Sequence, residues 1–123
     1  MPTLIDALEH FSASLPGFLS TSVVHRDDGT SLGSIASRDD LDAEAADAYF
    51  AAMLDKNARA LQALGLSDDT EDVSLTTSEA LFLVRVLPGT RYAWIAVTGR
   101  RNALGLVREL MRKHQAALAQ ALP

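Results

Sequence analysis

Residues 80–98 read ALFLVRVLPGTRYAWIAVT, and this stretch decides the fold. Two nearly continuous apolar runs, residues 80–87 and residues 91–98, are joined by the turn-forming sequence Pro88-Gly89-Thr90. Apolar runs joined by a short turn are typical of a β-hairpin, and their shortage of polar residues indicates burial on both faces. The hairpin is therefore predicted to supply the central strands of a sheet that is covered on each side.

The N-terminal part of the chain is predicted to add one helix and two strands. Leucine and other large apolar residues recur at helical spacing over residues 3–14, and Pro16-Gly17 stops the pattern. Residues 18–26 and residues 31–37 are rich in Ser, Thr and Val and flank an Asp-Asp-Gly-Thr turn. The chain therefore begins as helix, strand, strand.

A long helix, an edge strand and a last helix are predicted in the rest of the chain. The long helix covers residues 41–64, with Asp39 or Asp40 as its N-cap. Apolar and polar residues alternate over residues 73–78, which is typical of a half-exposed strand at the edge of a sheet. Asn102 is the candidate N-cap of the final helix. The order αββαβββα defines an α+β fold.

The long helix carries more apolar surface than one contact requires. One stripe is predicted to face the sheet, and it consists of Ala46, Phe50, Met53, Asn57, Leu61 and Leu64. A second stripe of mostly small residues lies beside it and consists of Leu41, Ala45, Ala48, Tyr49 and Ala52. The second stripe predicts another buried contact, beyond the sheet.

Composition excludes several classes of function. Eleven Lys and Arg against sixteen Asp and Glu give a net charge of −5, which opposes binding to nucleic acid. The sequence has no Cys, so disulfides and cysteine-zinc sites are excluded. No apolar run approaches the roughly 18 residues of a membrane span, and residues 1–6 lack the features of a secretory signal. We expect one cytoplasmic domain over residues 1–123, with neither nucleic-acid nor membrane partners.

No catalytic motif is present in the sequence. A nucleophile elbow, a phosphate-binding loop and a paired-histidine zinc motif are all missing. His10, His25 and His114 belong to separate predicted elements, and none has a second ligand at metal-binding spacing. We therefore expect no catalytic residue, no metal and no cofactor.

Other polar and aromatic clusters have simpler structural explanations. The acidic loop with Asp68, Asp69, Glu71 and Asp72 lacks the ligand spacing of a calcium loop. Residues 98–102 are explained by a glycine turn and a helix cap better than by an anion site. Large aromatics such as Tyr49 and Trp94 are more often core or interface residues than the walls of a pocket.

Several short motifs, taken in order, resemble the roadblock family of dynein light chains and its bacterial relatives. They are the leucine-rich first helix leading to Leu15-Pro16-Gly17-Phe18, then Ser22-Val23-Val24, the turn Asp28-Gly29, the alanine-rich long helix and Asn102-Ala103-Leu104-Gly105-Leu106-Val107-Arg108. The match covers almost the entire chain, and its specificity comes from the order and spacing of the motifs.

The resemblance implies an architecture and a mode of assembly. The architecture is a five-stranded antiparallel sheet with the long helix on one face and both terminal helices on the other, as in roadblock and profilin-like domains. The assembly is a homodimer in which the third strand and the long helix meet their copies. The interface residues implied here are Leu41, Ala45, Ala48, Tyr49, Ala52, Val73, Leu75 and Thr77.

The resemblance also implies a function without catalysis. Family members are platforms for small Ras-like GTPases, activators in bacterial polarity systems, or adaptors in transport and signalling complexes. We expect a regulator or scaffold whose partner contacts are Glu44, Asp47, Tyr49 and Asp55, on the exposed side of the long helix. The alternative is a profilin-like or PAS-like sensor of a small molecule. That alternative needs inward polar groups on the central strands, where Arg85 is the one charged candidate.

Overall fold

The computed structural model describes residues 2–123 and confirms the predicted α+β order, αββαβββα. All strand pairs are antiparallel, and the sheet order is β2-β1-β5-β4-β3. The elements are α1 (Leu4–Ser14), β1 (Phe18–His25), β2 (Ser31–Ala36), α2 (Ala43–Ala63), β3 (Asp72–Thr76), β4 (Ala80–Val86), β5 (Tyr92–Gly99) and α3 (Leu104–Gln120).

The β4–β5 hairpin lies inside the sheet, as predicted. Strand β5 pairs with β1 on one side and with β4 on the other, and β3 pairs with the far side of β4. Gly89 has φ of 72°, a left-handed backbone conformation that glycine adopts without strain, so the hairpin turn is tight. Both edges of the sheet are short strands, β2 and β3.

Each face of the sheet has its own apolar core. The first core lies between the sheet and helices α1 and α3, and its largest members are Leu8, Phe11, Leu83, Trp94 and Met111. The second core lies between the sheet and α2, and its largest members are Val24, Phe50, Leu54, Val84 and Ile95. Alternate residues of β5 enter the two cores, so the apolar run is explained by burial on both sides.

Trp94 organises the core on the side of α1 and α3. Its indole Nε1–H donates a hydrogen bond to Thr21 Oγ1 at 2.9 Å, and Thr21 Oγ1 donates to the Ile95 carbonyl at 2.8 Å. The Phe11 ring meets the indole edge-on, with ring centres 4.7 Å apart. The polar atoms at the centre of this core are therefore satisfied, and the packing is apolar around them.

Helix α2 begins later than the sequence predicted. Asp42 is the N-cap, and its Oδ1 accepts a hydrogen bond from the Ala45 N–H at 3.1 Å. The prediction of Asp39 or Asp40 as the cap was wrong, because only Asp42 lies within reach of the free amides of the first turn. Gly65, with φ of 71°, follows the end of the helix.

The face that α2 turns to the sheet is also shifted from the prediction. The buried line is Asp47, Phe50, Ala51 and Leu54, whereas Leu64 is 72% exposed. The helix lies close over the β1–β2 turn, where a Cβ on Gly29 would be 2.9 Å from the Ala48 Cα. Glycine at this turn and alanine on the helix therefore allow the close approach, so α2 lies closest to β1 and β2. On its other side Phe50 also packs on Phe82 of β4.

Asp47 brings a carboxylate into the core beneath α2. The side chain lies under the helix near Ser22, and Asp47 is 2% exposed. Its Oδ2 atom has no hydrogen-bond partner among residues 2–123. Burial raises the pKa of Asp47 from 3.8 to about 6, with Ser22 opposing the increase and Glu44 adding to it. Above this pH the fold therefore contains a poorly solvated negative charge.

We expect Asp47→Asn to stabilise the protein at pH 8 by about 2–3 kcal/mol and to have little effect at pH 4. The folded pKa lies above the unfolded value, so the unfolded chain ionises first as the pH rises. The cost of the charge therefore grows between about pH 4 and pH 6 and is complete above that range. Urea denaturation at several pH values measures the difference between variant and wild type.

The matched control is Asp55→Asn, which removes an exposed carboxylate from the same helix. Its effect is expected to stay within about 0.5 kcal/mol at every pH. An Asp47→Asn variant no more stable than wild type at pH 8 would contradict the cost of burial.

Candidate protein interface

The outer edge of β3 is the free edge nearest the predicted interface. Strand β3 pairs with β4 and, within residues 2–123, with no strand on its other side. Leu75 is 45% exposed and lies opposite Phe82 in the register, which places it on the α2 side of the sheet. An unpaired strand that exposes a leucine can add a strand from another chain.

Thr77 is not part of this edge, contrary to the sequence prediction. Strand β3 ends at Thr76, and the Thr77 Oγ1 accepts hydrogen bonds from the N–H groups of Glu79 and Ala80, at 3.2 and 2.9 Å. A threonine whose hydroxyl satisfies two backbone amides favours a turn over a continued strand. Val73 and Leu75 remain as the strand residues of the predicted interface.

The outward face of α2 is built of small residues around one tyrosine. Ala45, Ala48 and Ala52 are exposed, and Tyr49 is 76% exposed. Leu41 precedes the first turn of the helix and is half-buried. Contrary to the prediction, it is therefore not part of this face. The face allows close approach of another helix, because alanine keeps the backbone near the surface.

The edge strand β3 is the least covered part of the sheet on the α2 side. Phe82 of β4 packs against Phe50 of α2, with ring centres 5.3 Å apart, and Val73 packs against the same core, whereas Leu75 is 45% exposed. An apolar groove of about 490 Å³ opens between the start of α2 and the sheet. Its apolar walls include Leu19, Leu41, Ala46, Phe50, Phe82 and Val97.

The predicted acidic contacts do not all lie on the surface. Glu44 and Asp55 are exposed, and Asp55 Oδ2 pairs with the Arg59 Nε at 3.0 Å. Asp47 is buried beneath α2, so its prediction as a partner contact was wrong. The reason is its position three residues before Phe50, on the line that the helix turns to the sheet. The exposed negative charge of α2 is therefore smaller than predicted.

Arg85 is used to hold the sheet to α3. Its Nη1 lies 3.5 Å from Asp72 Oδ2, and its Nε donates a hydrogen bond to the Gln115 side chain. Arg108 also donates two hydrogen bonds to Asp72, from Nε and Nη2 to the two carboxylate oxygens at 2.8 and 2.9 Å. The hydrogen bond from Arg108 to Asp72 raises the pKa of the guanidinium. Arg85 is therefore a structural residue and supplies no polar group to the groove beside α2.

The remaining candidate clusters have structural roles. Trp94 is fully buried on the α1 and α3 side, so it forms no pocket with Tyr49 on the outside of α2. Asn102 is not the N-cap of α3, because its side-chain amide donates to the Pro16 carbonyl and Ala103 is the cap.

In the described part of the chain, no three metal-ligating side chains come together. No helix in residues 2–123 is long and apolar enough to cross a membrane.

One pair of side chains was missed because it exists only in the folded chain. His10 of α1 and His114 of α3 lie with their ring centres 5.3 Å apart. Spacing along the sequence gives no sign of this contact, since the two residues lie near opposite ends of the chain. The packing of α1 against α3, which the resemblance implied, was the available signal.

The comparison with known proteins finds similarity in structure and not in sequence. No protein-family model matches the chain, and no curated protein matches it. A roadblock/LC7 domain from Streptomyces avermitilis superposes with a TM-score of 0.81 at 15% identity, covering 93% of this chain and 92% of that one.

Two structures of MglB superpose equally well. The gliding protein MglB from Thermus thermophilus gives a TM-score of 0.81 at 15% identity, covering 96% of this chain and 87% of that one. An MglB with a tetrameric arrangement gives 0.82 at 15% identity, covering 96% and 86%. Identities this low establish the fold alone. The chain therefore has the roadblock/LC7 fold, and the family resemblance that the sequence motifs predicted is confirmed at the level of the fold.

Proposed function

We propose that the chain is a non-catalytic homodimer that serves as a binding platform for a small Ras-like GTPase. The observation that carries the proposal is the exposed apolar side chain of Leu75, on the α2 side of the sheet at the free edge of β3. An exposed apolar surface next to an unpaired strand is typical of an interface. A second copy, paired through β3, would satisfy both features at once.

The dimer would join two sheets into one and bring two α2 helices together. Pairing of β3 with its copy gives each strand a full set of backbone hydrogen bonds. The two α2 helices would then lie near each other, with the small side chains of Ala45, Ala48 and Ala52 available for contact. The fold likeness to an MglB with a tetrameric arrangement supports assembly from more than one copy.

The proposal of a GTPase partner rests on the roadblock resemblance together with the shape of the platform. A standard interface needs roughly 800 Å² on each partner, which one exposed helix face does not supply. Two α2 helices side by side would supply it, with Tyr49 as a central aromatic anchor and Glu44 and Asp55 as peripheral charges. Such a platform acts by binding one state of the GTPase switch regions more tightly than the other.

The groove at the start of α2 favours a second candidate, a sensor of an apolar small molecule. Its volume of about 490 Å³ lies in the range of ligand sites, and its walls are mostly apolar. The substitution Ala46→Trp would fill the groove. If the protein retains a small molecule of defined mass in native mass spectrometry, and Ala46→Trp loses it, the sensor function is supported; if neither protein carries one, the platform function is favoured.

We expect the wild-type protein to have twice the 13.2 kDa mass of one chain in light scattering. Ala52→Glu and, separately, Leu75→Lys should give monomers, because each places a charge in an interface that excludes water. Circular dichroism should show unchanged secondary structure in both variants. Ala60→Glu is the control, since Ala60 is an exposed alanine of the same helix outside the predicted interface. A wild-type monomer at tens of micromolar, or dimers in both variants, would contradict the proposed dimer interface.

We expect the double variant Glu44→Lys, Asp55→Lys to bind its GTPase more weakly and with a smaller dependence on salt. The reason is that removal of the two exposed carboxylates abolishes attraction to a basic partner surface. Binding is measured against a panel of purified Ras-like GTPases, each loaded with GDP or with a non-hydrolysable GTP analogue. Charge reversal of Glu9 and Glu109, on the opposite helical layer, is the control. A dimer that binds no GTPase in either nucleotide state would contradict the proposal.

A further inference from the structure

The contact between His10 and His114 lies on the opposite side of the molecule from α2. The two rings are 5.3 Å apart between their centres, with planes inclined by 58°. They line a shallow surface cavity of about 280 Å³ between α1 and α3, together with Asp6, Ala7 and Ala117. Two imidazoles on different helices thus face one small space open to solvent.

The environment of His114 fixes which of its nitrogens is free. The Nδ1 atom lies 2.9 Å from the Leu110 carbonyl oxygen. A carbonyl oxygen only accepts, so Nδ1 carries the proton in the neutral ring and Nε2 keeps its lone pair. The Phe11 ring also contacts His114, with ring centres 5.6 Å apart. A backbone carbonyl that orients an imidazole in this way is the usual support of a metal-binding histidine.

The distance between the rings fits one shared metal ion. With Zn–N bonds of about 2.0–2.1 Å at the tetrahedral angle, two ligating imidazoles have ring centres about 5 Å apart. The observed separation of 5.3 Å is close to this value, and the His10 side chain is exposed. A direct hydrogen bond between the two rings is not formed in the described chain, so the free nitrogens have no competing mutual contact.

We propose that His10 and His114 form a low-affinity site for a borderline divalent cation of the Zn²⁺ class. Imidazole nitrogens suit Zn²⁺, Cu²⁺ and Ni²⁺, whereas Mg²⁺ and Ca²⁺ prefer oxygen ligands. Asp6 is not counted as a ligand, because its Oδ2 accepts the Thr3 N–H at 3.0 Å in the cap of α1. Two protein ligands leave the other positions to water, so the ion exchanges freely and links α1 to α3 when it is bound.

Isothermal titration of tag-free protein with ZnCl₂ tests the proposal. We expect one Zn²⁺ per chain and a rise in the thermal unfolding temperature, with no response to MgCl₂. His10→Ala and His114→Ala should each weaken Zn²⁺ binding by about tenfold or more and abolish the rise in temperature. His10 is exposed, so its replacement leaves the core intact even where loss of the half-buried His114 disturbs α3.

The matched control is His25→Ala, which removes the one remaining histidine, near Tyr92 on the sheet. We expect it to bind Zn²⁺ like the wild type. Binding that persists in His10→Ala, or that falls equally in all three variants, would overturn the site. The result is independent of the proposed platform function, since no residue of α2 or β3 is changed.

Discussion

Burial of the β4–β5 hairpin on both faces is the constraint on which the rest of the structure depends. A strand such as β5, with Trp94 on one face and Ile95 on the other, is stable only between two layers. Helices α1 and α3 form one layer, while α2 alone must form the other. Helix α2 covers this face as far as Phe82 of β4, which contacts Phe50, but the edge strand β3 leaves Leu75 exposed.

The apolar cores on the two faces of the sheet contain different buried polar groups. The core around Trp94 has its polar atoms paired, with Thr21 between the indole and the Ile95 carbonyl. The core under α2 includes the Asp47 carboxylate, and one of its oxygens lacks a partner among the described residues. A buried charge costs stability, so the Asp47 carboxylate weakens the α2 layer at neutral pH. This is also the layer that carries the proposed interface.

The sequence was sufficient for the order of the helices and strands and for the buried β4–β5 hairpin, because apolar runs and turn residues indicate which segments are buried and where the chain turns. The five-stranded sheet with helices on both faces was implied by the family resemblance. Which face of α2 turns to the sheet could not be predicted accurately from the sequence, because many faces of an alanine-rich helix look similar. In the structure this orientation is fixed by the close approach of Ala48 to Gly29. Thr77 and Asn102 were misplaced because their hydrogen bonds, to Ala80 and to Pro16, are set by backbone geometry.

The two proposed sites lie on opposite layers, and one side chain connects them physically. Phe11 contacts His114 on one side and Trp94 on the other, with ring centres 5.6 and 4.7 Å apart. Trp94 belongs to β5, whose alternate residues, such as Ile95, form the core beneath α2. An ion that links α1 to α3 would therefore act first on the layer of the terminal helices. His10, His114, Phe11 and Trp94 all lie outside the proposed interface at β3 and α2, so metal binding should stabilise the terminal helices without altering that assembly.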